Sequence, residues 1–448
     1  MQPTHTTLAE ALNHRCYCQT LDADLLRQAL GRDARLRDMA GTLAHTHPHL
    51  FSSTAVFVSR ATVQAVQRAV AALERTLSLP AWAAHALPAA SAIAQADHGT
   101  VGVFMGYDFH LTPTGPQLIE INTNAGGAML NAVLLQAQAA CCDLMDTTVH
   151  PDRGLSTLED EFVAMFQAEW ALFLQAQGQA PRPLRSMAIV DEAPDSQYLA
   201  PEFALFAQLF ERQGITTVVL DAADLQMRDG QLFGGALALD MVYNRVTDFD
   251  LSAPRHTALA QAYTQGVVAV TPHPRAHALR ANKQHLVTLG QAAALQALGV
   301  DAADQRTLLA TVPPCERVGP ENAVALWERR KQLFFKPLDG FGARAVYRGD
   351  KLTKKVWEQI QAGDYIAQTL VAPPLRAMQL GGASTELKFD LRAYTYAGRV
   401  QLLAARTYSG QTTNFRTEGG GFAPVLLAPE LNQLAPAGTL TPSCKPCA

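Results

Sequence analysis

Residues 102–124 read GVFMGYDFHLTPTGPQLIEINTN, two alternating runs around a cluster of Pro113, Gly115 and Pro116. That pattern predicts a hairpin closed by a turn of several residues. With the turn centred near Thr114, Asp108 faces Glu120 and Gly106 faces Asn122, while Tyr107, Phe109, Ile119 and Ile121 form the apolar face. Directly opposed side chains lie about 5 Å apart at Cβ, and like charges there are destabilising. Two carboxylates and an amide above an apolar floor call for a compensating cation. An all-oxygen set favours Mg2+, which keeps waters and adds substrate phosphates to one or two carboxylates. A solvated hairpin face produces the same alternation, so the hairpin alone leaves both readings open.

Two further blocks bear on the choice. In FFKPLDGFGARAVY (334–347), Lys336 ends an apolar strand and a loop with Gly340 and Gly342 follows. Glycines let backbone N–H groups close on an anion, and an ammonium supplies a compact charge for phosphate oxygens. The segment is neither a GxxxxGK[ST] phosphate loop nor a dinucleotide fingerprint. In FDLRAYTYAGRVQLLAARTYSGQTTNFRTEGGGFAPV (389–425), Asp390 and Arg392 share a strand face and Gly398 marks a hairpin. Arg406 ends the returning strand, and a polar loop follows with Asn414, Arg416 and three consecutive glycines. A long glycine-rich loop is costly to order, which fits closure upon a ligand.

The chain of 448 residues is too long for one ordinary core, so two or three subdomains are expected. A formal net charge of −4 and a pI near 6.4 give no electrostatic case for nucleic acid or an anionic membrane. No apolar run approaches the ~20 residues that span a bilayer. The N-terminus lacks the basic and apolar regions of a secretion signal, and a reducing cytoplasm is the expected location. Seven cysteines, at 16, 18, 141, 142, 315, 444 and 447, make a poor disulfide framework, and Cys444/Cys447 lie in a Pro-rich tail.

Along the chain, 1–84 reads as an irregular helical region that includes an amphipathic helix from Ser59 to about Leu87. Residues 85–150 hold the hairpin and a helix from Ala128 to Met145. Residues 151–182 form a helical linker. Residues 183–275 run strand–helix–strand, the unit of a parallel sheet packed by helices. Residues 276–430 carry strands at QLFFKPL, ARAVYRG, YIAQTLV, KFDLRAYTY and VQLLAART, and 431–448 read as a disordered tail.

Taken together, these residues resemble the ATP-grasp superfamily of carboxylate–amine ligases. Asp108 precedes Glu120 by twelve positions and Asn122 completes Glu-x-Asn, similar to that family's metal-binding set. Lys283 in ANKQHL and Lys336 resemble its two nucleotide lysines, and YIAQTL, with Gln368, resembles its adenine-binding hinge. FDLRAYTYAG, Arg406 and NFRTEGGG resemble its catalytic-arginine and phosphate-contacting segment. The hairpin comes first instead of last, as in a circularly permuted chain, and so resembles eukaryotic-type glutathione synthetases. The resemblance implies an α/β (α+β) ATP-grasp fold in permuted order plus a Rossmann-like substrate domain. It implies ATP and Mg2+, as two ions held by Asp108, Glu120 and Asn122. Nucleotide contacts are then expected from Lys283, Lys336, Gly340, Gly342, Gln368, Asp390 and Arg392. Catalytic roles fall to Arg406, Asn414 and Arg416, and substrate contacts to Asn244, Arg245, Gly419, Gly420 and Gly421. The implied reaction joins a small-molecule carboxylate to an amine through an acyl phosphate, with no nucleic-acid or membrane partner and with a homodimer allowed. A phosphotransferase on the same fold and a non-catalytic nucleotide-binding protein are the alternatives.

Overall fold

The computed structural model describes residues 7–32, 36–139, 154–338, 345–411 and 417–428. Strand β1 (Val56–Val58) precedes the hairpin, whose arms are β2 (Met105–Thr112) and β3 (Gly115–Asn122). The turn is tighter than the sequence predicts. Thr112 pairs with Gly115 and leaves only Pro113 and Thr114 between the arms, with Gly115 at φ +122°. Proline pre-sets one turn dihedral and glycine alone reaches the other without strain. Gly106/Asn122, Tyr107/Ile121 and Asp108/Glu120 pair in the expected register. Beyond them the register shifts, so Phe109 faces Leu118 and Ile119 becomes the extra residue of a bulge. Ile119 therefore leaves the apolar face and its carbonyl accepts a 2.7 Å hydrogen bond from Lys336 Nζ.

The helix after Ser59 spans Arg60–Leu77, and a separate short helix spans Pro80–Ala86. A residue before proline is driven out of the helical region, and Leu79 sits at φ −67°, ψ 140°, so one continuous helix to Leu87 cannot form. The helix from Ala128 ends at Gln136 instead of continuing towards Met145, because 137–139 pair with 20–22: Asp22 N–H donates to Ala137 O and Ala139 N–H to Thr20 O.

Strands β4 (Ser186–Asp191) and β5 (Thr216–Asp221) are parallel, joined by the helix Ala200–Arg212. A small meander, β6 (Leu225–Arg228), β7 (Gln231–Gly234) and β8 (Leu237–Ala238), turns at Asp229–Gly230. Strands β9 (Met241–Asn244) and β10 (Ala269–Thr271) complete a parallel sheet in the order β10-β9-β4-β5. The order reverses between β4 and β9, and the carboxyl ends at such a switch point form a ligand crevice. Asp191 ends β4, and Arg245 follows β9.

The expected linker helix, Leu155–Ala176, is a core element. Phe162 and Phe166 are fully buried against Phe104, Phe206 and Tyr243. Its buried Glu169 accepts from Val101 N, Gly102 N, Thr271 Oγ1 and Tyr396 OH.

A second four-stranded sheet, all antiparallel, orders β11 (Cys315–Arg317), β14 (Tyr365–Thr369), β12 (Leu333–Pro337) and β13 (Tyr347–Arg348). The last four strands are β15 (Leu375–Leu380), β16 (Ala383–Tyr396), β17 (Arg399–Tyr408) and β18 (Gly421–Leu427). They close with the early strands into a sheet ordered β1-β18-β17-β16-β2-β3, with β15 also on β16. The hairpin thus lies beside strands nearly three hundred residues later, with Asp108 paired to Arg392. No helix among the described residues is long and apolar enough to cross a membrane.

Candidate active site

Register places four charged side chains on one sheet face. Asp108 opposes Arg392, and Asp390 opposes Arg406. Arg392 grips Asp108 through Nε–Oδ1 at 2.6 Å and Nη2–Oδ2 at 2.7 Å. Arg406 reaches both acids, with Nη2 2.8 Å from Asp108 Oδ2 and Nε 2.8 Å from Asp390 Oδ1. Asn122 Nδ2 also donates to Asp108, at 3.0 Å. All four charged groups are nearly inaccessible. Burial alone raises the Asp108 carboxyl, but the charges of Arg392 and Arg406 outweigh it and hold the group at about 2. The cation that the hairpin calls for is therefore supplied here by two guanidinium groups. Gly106 permits the arrangement, since a Cβ there falls 2.5 Å from Ala125 Cβ.

Above this floor, Glu120 lies 3.4 Å from Lys283 Nζ. Lys336 donates to Ile119 O and, at 2.8 Å, to Gln368 Oε1. Burial pulls its ammonium below the usual lysine range, with Glu120 opposing. These side chains line a cavity of about 250 Å3, which Phe334, Val346, Leu370, Val371 and Tyr408 also line. Asp108, Glu120, Asn122, Lys283, Lys336, Gln368, Asp390, Arg392 and Arg406 all border it. The expected nucleotide, metal and arginine residues thus converge, as far as they are described.

A second cavity, about 660 Å3, opens over the switch point of the parallel sheet and shares Glu120, Asn122 and Lys283 with the first. At one side stand three carboxylates, Asp191, Glu192 and Asp248, with Gln197. Burial pushes the Asp191 carboxyl up to about 6, against the pull of Arg245. Arg245 lines the cavity and donates to Asn124 Oδ1 at 2.8 Å. His277 stacks on Phe249 with ring centroids 3.8 Å apart, and burial, then Lys283, pushes its imidazole down to about 3.

Other expected residues fall elsewhere. Asn244 borders neither cavity; it donates to Pro272 O and accepts from Val246 N–H, a role in holding the chain after β9. Gly419, Gly420 and Gly421 also lie away from both cavity walls. A Cβ at Gly421 falls 2.7 Å from the Phe51 backbone, and Gly419 O accepts from Ser52 Oγ, so close packing on 51–52 explains glycine there. Gly340, Gly342, Asn414 and Arg416, with Asp339, Cys444 and Cys447, lie outside the described residues. Sequence reading missed His110 in the first cavity and the Asp191–Glu192–Asp248 group in the second. For Asp191 a signal existed: a carboxylate at the carboxyl end of a strand in a strand–helix–strand unit.

Among the described residues, no group of three or more His, Cys, Asp or Glu side chains is placed to hold a metal ion. Mg2+ does not need one, because phosphate oxygens and water complete its shell around one or two protein ligands. Glu120 offers a carboxylate to the cavity, and Asn122, with Nδ2 given to Asp108, keeps Oδ1 as its acceptor. This pair fits the ion.

No family profile matches the sequence, and no curated protein matches it. Among solved structures, a glutathione synthetase-like effector from Globodera pallida, in its apo form, superposes with a TM-score of 0.52 at 10% identity, over 84% of this chain and 90% of that one. Looser likenesses include a protein described as a gamma-glutamylcysteine synthetase from Methylobacillus flagellatus KT, with a TM-score of 0.42 at 10% identity, over 80% and 85% of the chains. The ATP-grasp ligase PsnB with its minimal precursor gives 0.29 at 15% identity, over 55% and 90%. The chain shares its fold with the glutathione synthetase-like effector.

Proposed function

We propose that the protein is an ATP- and Mg2+-dependent ligase, circularly permuted in its ATP-grasp order, that joins a carboxylate to an amine through an acyl phosphate. The carrying observation is that two cavities meet at Glu120, Asn122 and Lys283. One has two lysines on its wall and suits phosphates. The other pairs a carboxylate cluster with Arg245 and suits a zwitterionic, amino-acid-like substrate.

Bound at Glu120 and Asn122, Mg2+ would offset charge on the transferred phosphoryl group. Lys283 and Lys336 neutralise non-bridging phosphate oxygens from the protein side. Lys336 gives two of its three N–H donors to Ile119 and Gln368, which leaves the third for a phosphate oxygen. A substrate carboxylate, entering from the larger cavity, attacks the γ-phosphorus, and ADP leaves. Arg406 commits Nε and Nη2 to Asp108 and Asp390, and these bonds fix its plane. Nη1 is then the donor turned to the oxyanion of the tetrahedral adduct that the amine forms. A preorganised donor of this kind is worth about 3–4 kcal/mol. Positioning supplies most of the rest, because phosphoryl transfer asks little covalent work of the protein. In the larger cavity Asp191, Glu192 and Asp248 receive a substrate ammonium and Arg245 a carboxylate.

The reading is tested by incubating the full chain with ATP, Mg2+ and a panel of amino acids and short peptides. ADP and phosphate are expected, with a hydroxamate when hydroxylamine replaces the amine. AMP and pyrophosphate would contradict it. ADP with a stable phosphorylated product and no hydroxamate would instead make the protein a phosphotransferase.

A further inference from the structure

His110 lines the first cavity and has no part in the chemistry assigned above. It stands on β2 two positions beyond Asp108, and both residues border the cavity, so they share one strand face. The register runs Gly106/Asn122, Asp108/Glu120, His110/Gln117. His110 is thus displaced along the strand, by about 7 Å from Asp108, away from the Asn122 end. There its Nδ1 lies 2.9 Å from Val371 O, in the loop that follows β14. That loop is itself tied down, because Thr369 N–H donates to Pro314 O and Leu370 N–H to Gln332 O, each at 2.8 Å.

A carbonyl oxygen only accepts, so Nδ1 carries the hydrogen in this contact. An uncharged imidazole has one N–H, and Nε2, on the other edge of the ring, is then a lone-pair acceptor. Among the described residues Nε2 has no hydrogen-bond partner. Other acceptors bordering the cavity are taken. Both oxygens of Asp108 and of Asp390 receive arginine donors, and Gln368 Oε1 receives Lys336. Ionised phosphate oxygens offer nothing to a lone pair. An adenine nucleotide has two kinds of donor, its sugar hydroxyls and its base amino group. His110 stands between the Glu120–Asn122 end, which suits the phosphates, and the Leu370–Val371 loop, whose apolar side chains suit a base. The sugar is what joins the two.

We propose that His110 is a specificity-determining residue for the nucleotide sugar: its Nε2 accepts a hydrogen bond from a ribose hydroxyl, so the site favours ribonucleotides over analogues that lack that hydroxyl. The assignment rests on the nucleotide reading of the first cavity given above. A site built to bond a hydroxyl discriminates because the analogue leaves the protein partner unpaired. The ring is ready for this before the ligand arrives, since the bond from Nδ1 to a tethered carbonyl fixes both its plane and its tautomer.

The test measures binding to the full chain by calorimetry near pH 8, with Mg2+ and no second substrate. The ligands are ADP, 2′-deoxy-ADP, 3′-deoxy-ADP and purine riboside diphosphate, which lacks the base amino group. Wild type is expected to bind one deoxy analogue about 3- to 10-fold more weakly than ADP, the range of one hydrogen bond. His110→Leu should bind ADP more weakly by the same factor and bind that deoxy analogue as wild type does. His110→Gln, which keeps an acceptor, should recover part of the preference. If the leucine variant fails to fold, the wild-type series and the glutamine variant carry the test. Equal wild-type affinity for ADP and both deoxy analogues would overturn the assignment and leave the nucleotide site standing. So would a preference that survives in His110→Leu, or an equal loss for every ligand in that variant. Weaker binding confined to purine riboside diphosphate would give Nε2 to the base and overturn the sugar assignment. Wild type that binds none of the four would remove the nucleotide reading itself, and this assignment with it.

Discussion

Asp108 and Glu120 face each other across two strands, yet their surroundings give them different work. Asp108 is sealed beneath the cavity by Arg392, Arg406 and Asn122, whereas Glu120 stands part-exposed beside Lys283. Removing one partner of a buried ion pair leaves an uncompensated charge, which costs about 3–5 kcal/mol. Asp108→Asn should therefore lower the urea midpoint by an amount consistent with that loss. Glu120→Gln should leave the midpoint within ~0.5 kcal/mol of wild type, as surface-like changes do, and still abolish Mg2+-dependent turnover. Equal stability of the two variants would contradict the division of roles. Acid adds a second check. The folded carboxyl of Asp108 lies at about 2, below its usual 3.8, so its contribution is present above pH ~4 and fades as pH falls towards 2. That loss, on the order of 2 kcal/mol, should appear in wild-type unfolding curves and be missing in Asp108→Asn. Asp191 shifts the other way, up to about 6. It must be ionised to hold an ammonium, so amine-bearing substrates should bind more weakly as pH drops through ~6, measured as an apparent affinity. An affinity flat from pH 7.5 to 5 would remove Asp191 from the contact.

At the level of elements, the hairpin was legible because its alternation carries both registers of information, apolar below and polar above. Asp108/Glu120 and Gly106/Asn122 pair as that alternation requires. The bulge at Ile119 was not legible. Its freed carbonyl, Ile119 O, accepts from Lys336 of β12, 217 positions along the chain, a partner that no local pattern announces. Strands β1 and β15 were missed for a related reason: three-residue and edge strands derive their structure from the sheet they join, which short local patterns do not encode. The helix Leu155–Ala176 was read correctly as a helix, but its tie to the rest of the molecule runs through Glu169 and residues far away in sequence. Glu169→Leu strips the acceptor from four donors, those of Gly102 and Thr271 buried, and unmet buried donors cost about 1–3 kcal/mol each, not additively. A drop in unfolding midpoint worth about 3 kcal/mol or more is expected, while Glu169→Gln, which keeps an acceptor oxygen, should lose less. Two variants with the same midpoint would show that the hydrogen bonds do not hold the joint.

For the whole molecule, the proposed function rests on three sheets meeting. The antiparallel strands bring Lys336, the arginines and the Glu-x-Asn pair together, the turn before His285 adds Lys283, and the parallel sheet offers the acidic crevice at its switch point. The first half was visible in short motifs. The second was not, since Asp191, Glu192 and Asp248 become neighbours only after β4 and β9 pair. On the proposed reaction, the shared wall of Glu120, Asn122 and Lys283 sets one requirement: an oxygen of a substrate carboxylate must reach the terminal phosphorus. That is measured directly by supplying a reactive carboxylate labelled with heavy oxygen, then reading the released phosphate by isotope-shifted phosphorus NMR. One heavy oxygen transferred into inorganic phosphate for each amide formed is the predicted result. Unlabelled phosphate alongside amide, or label recovered in AMP, would contradict attack at the γ-phosphorus.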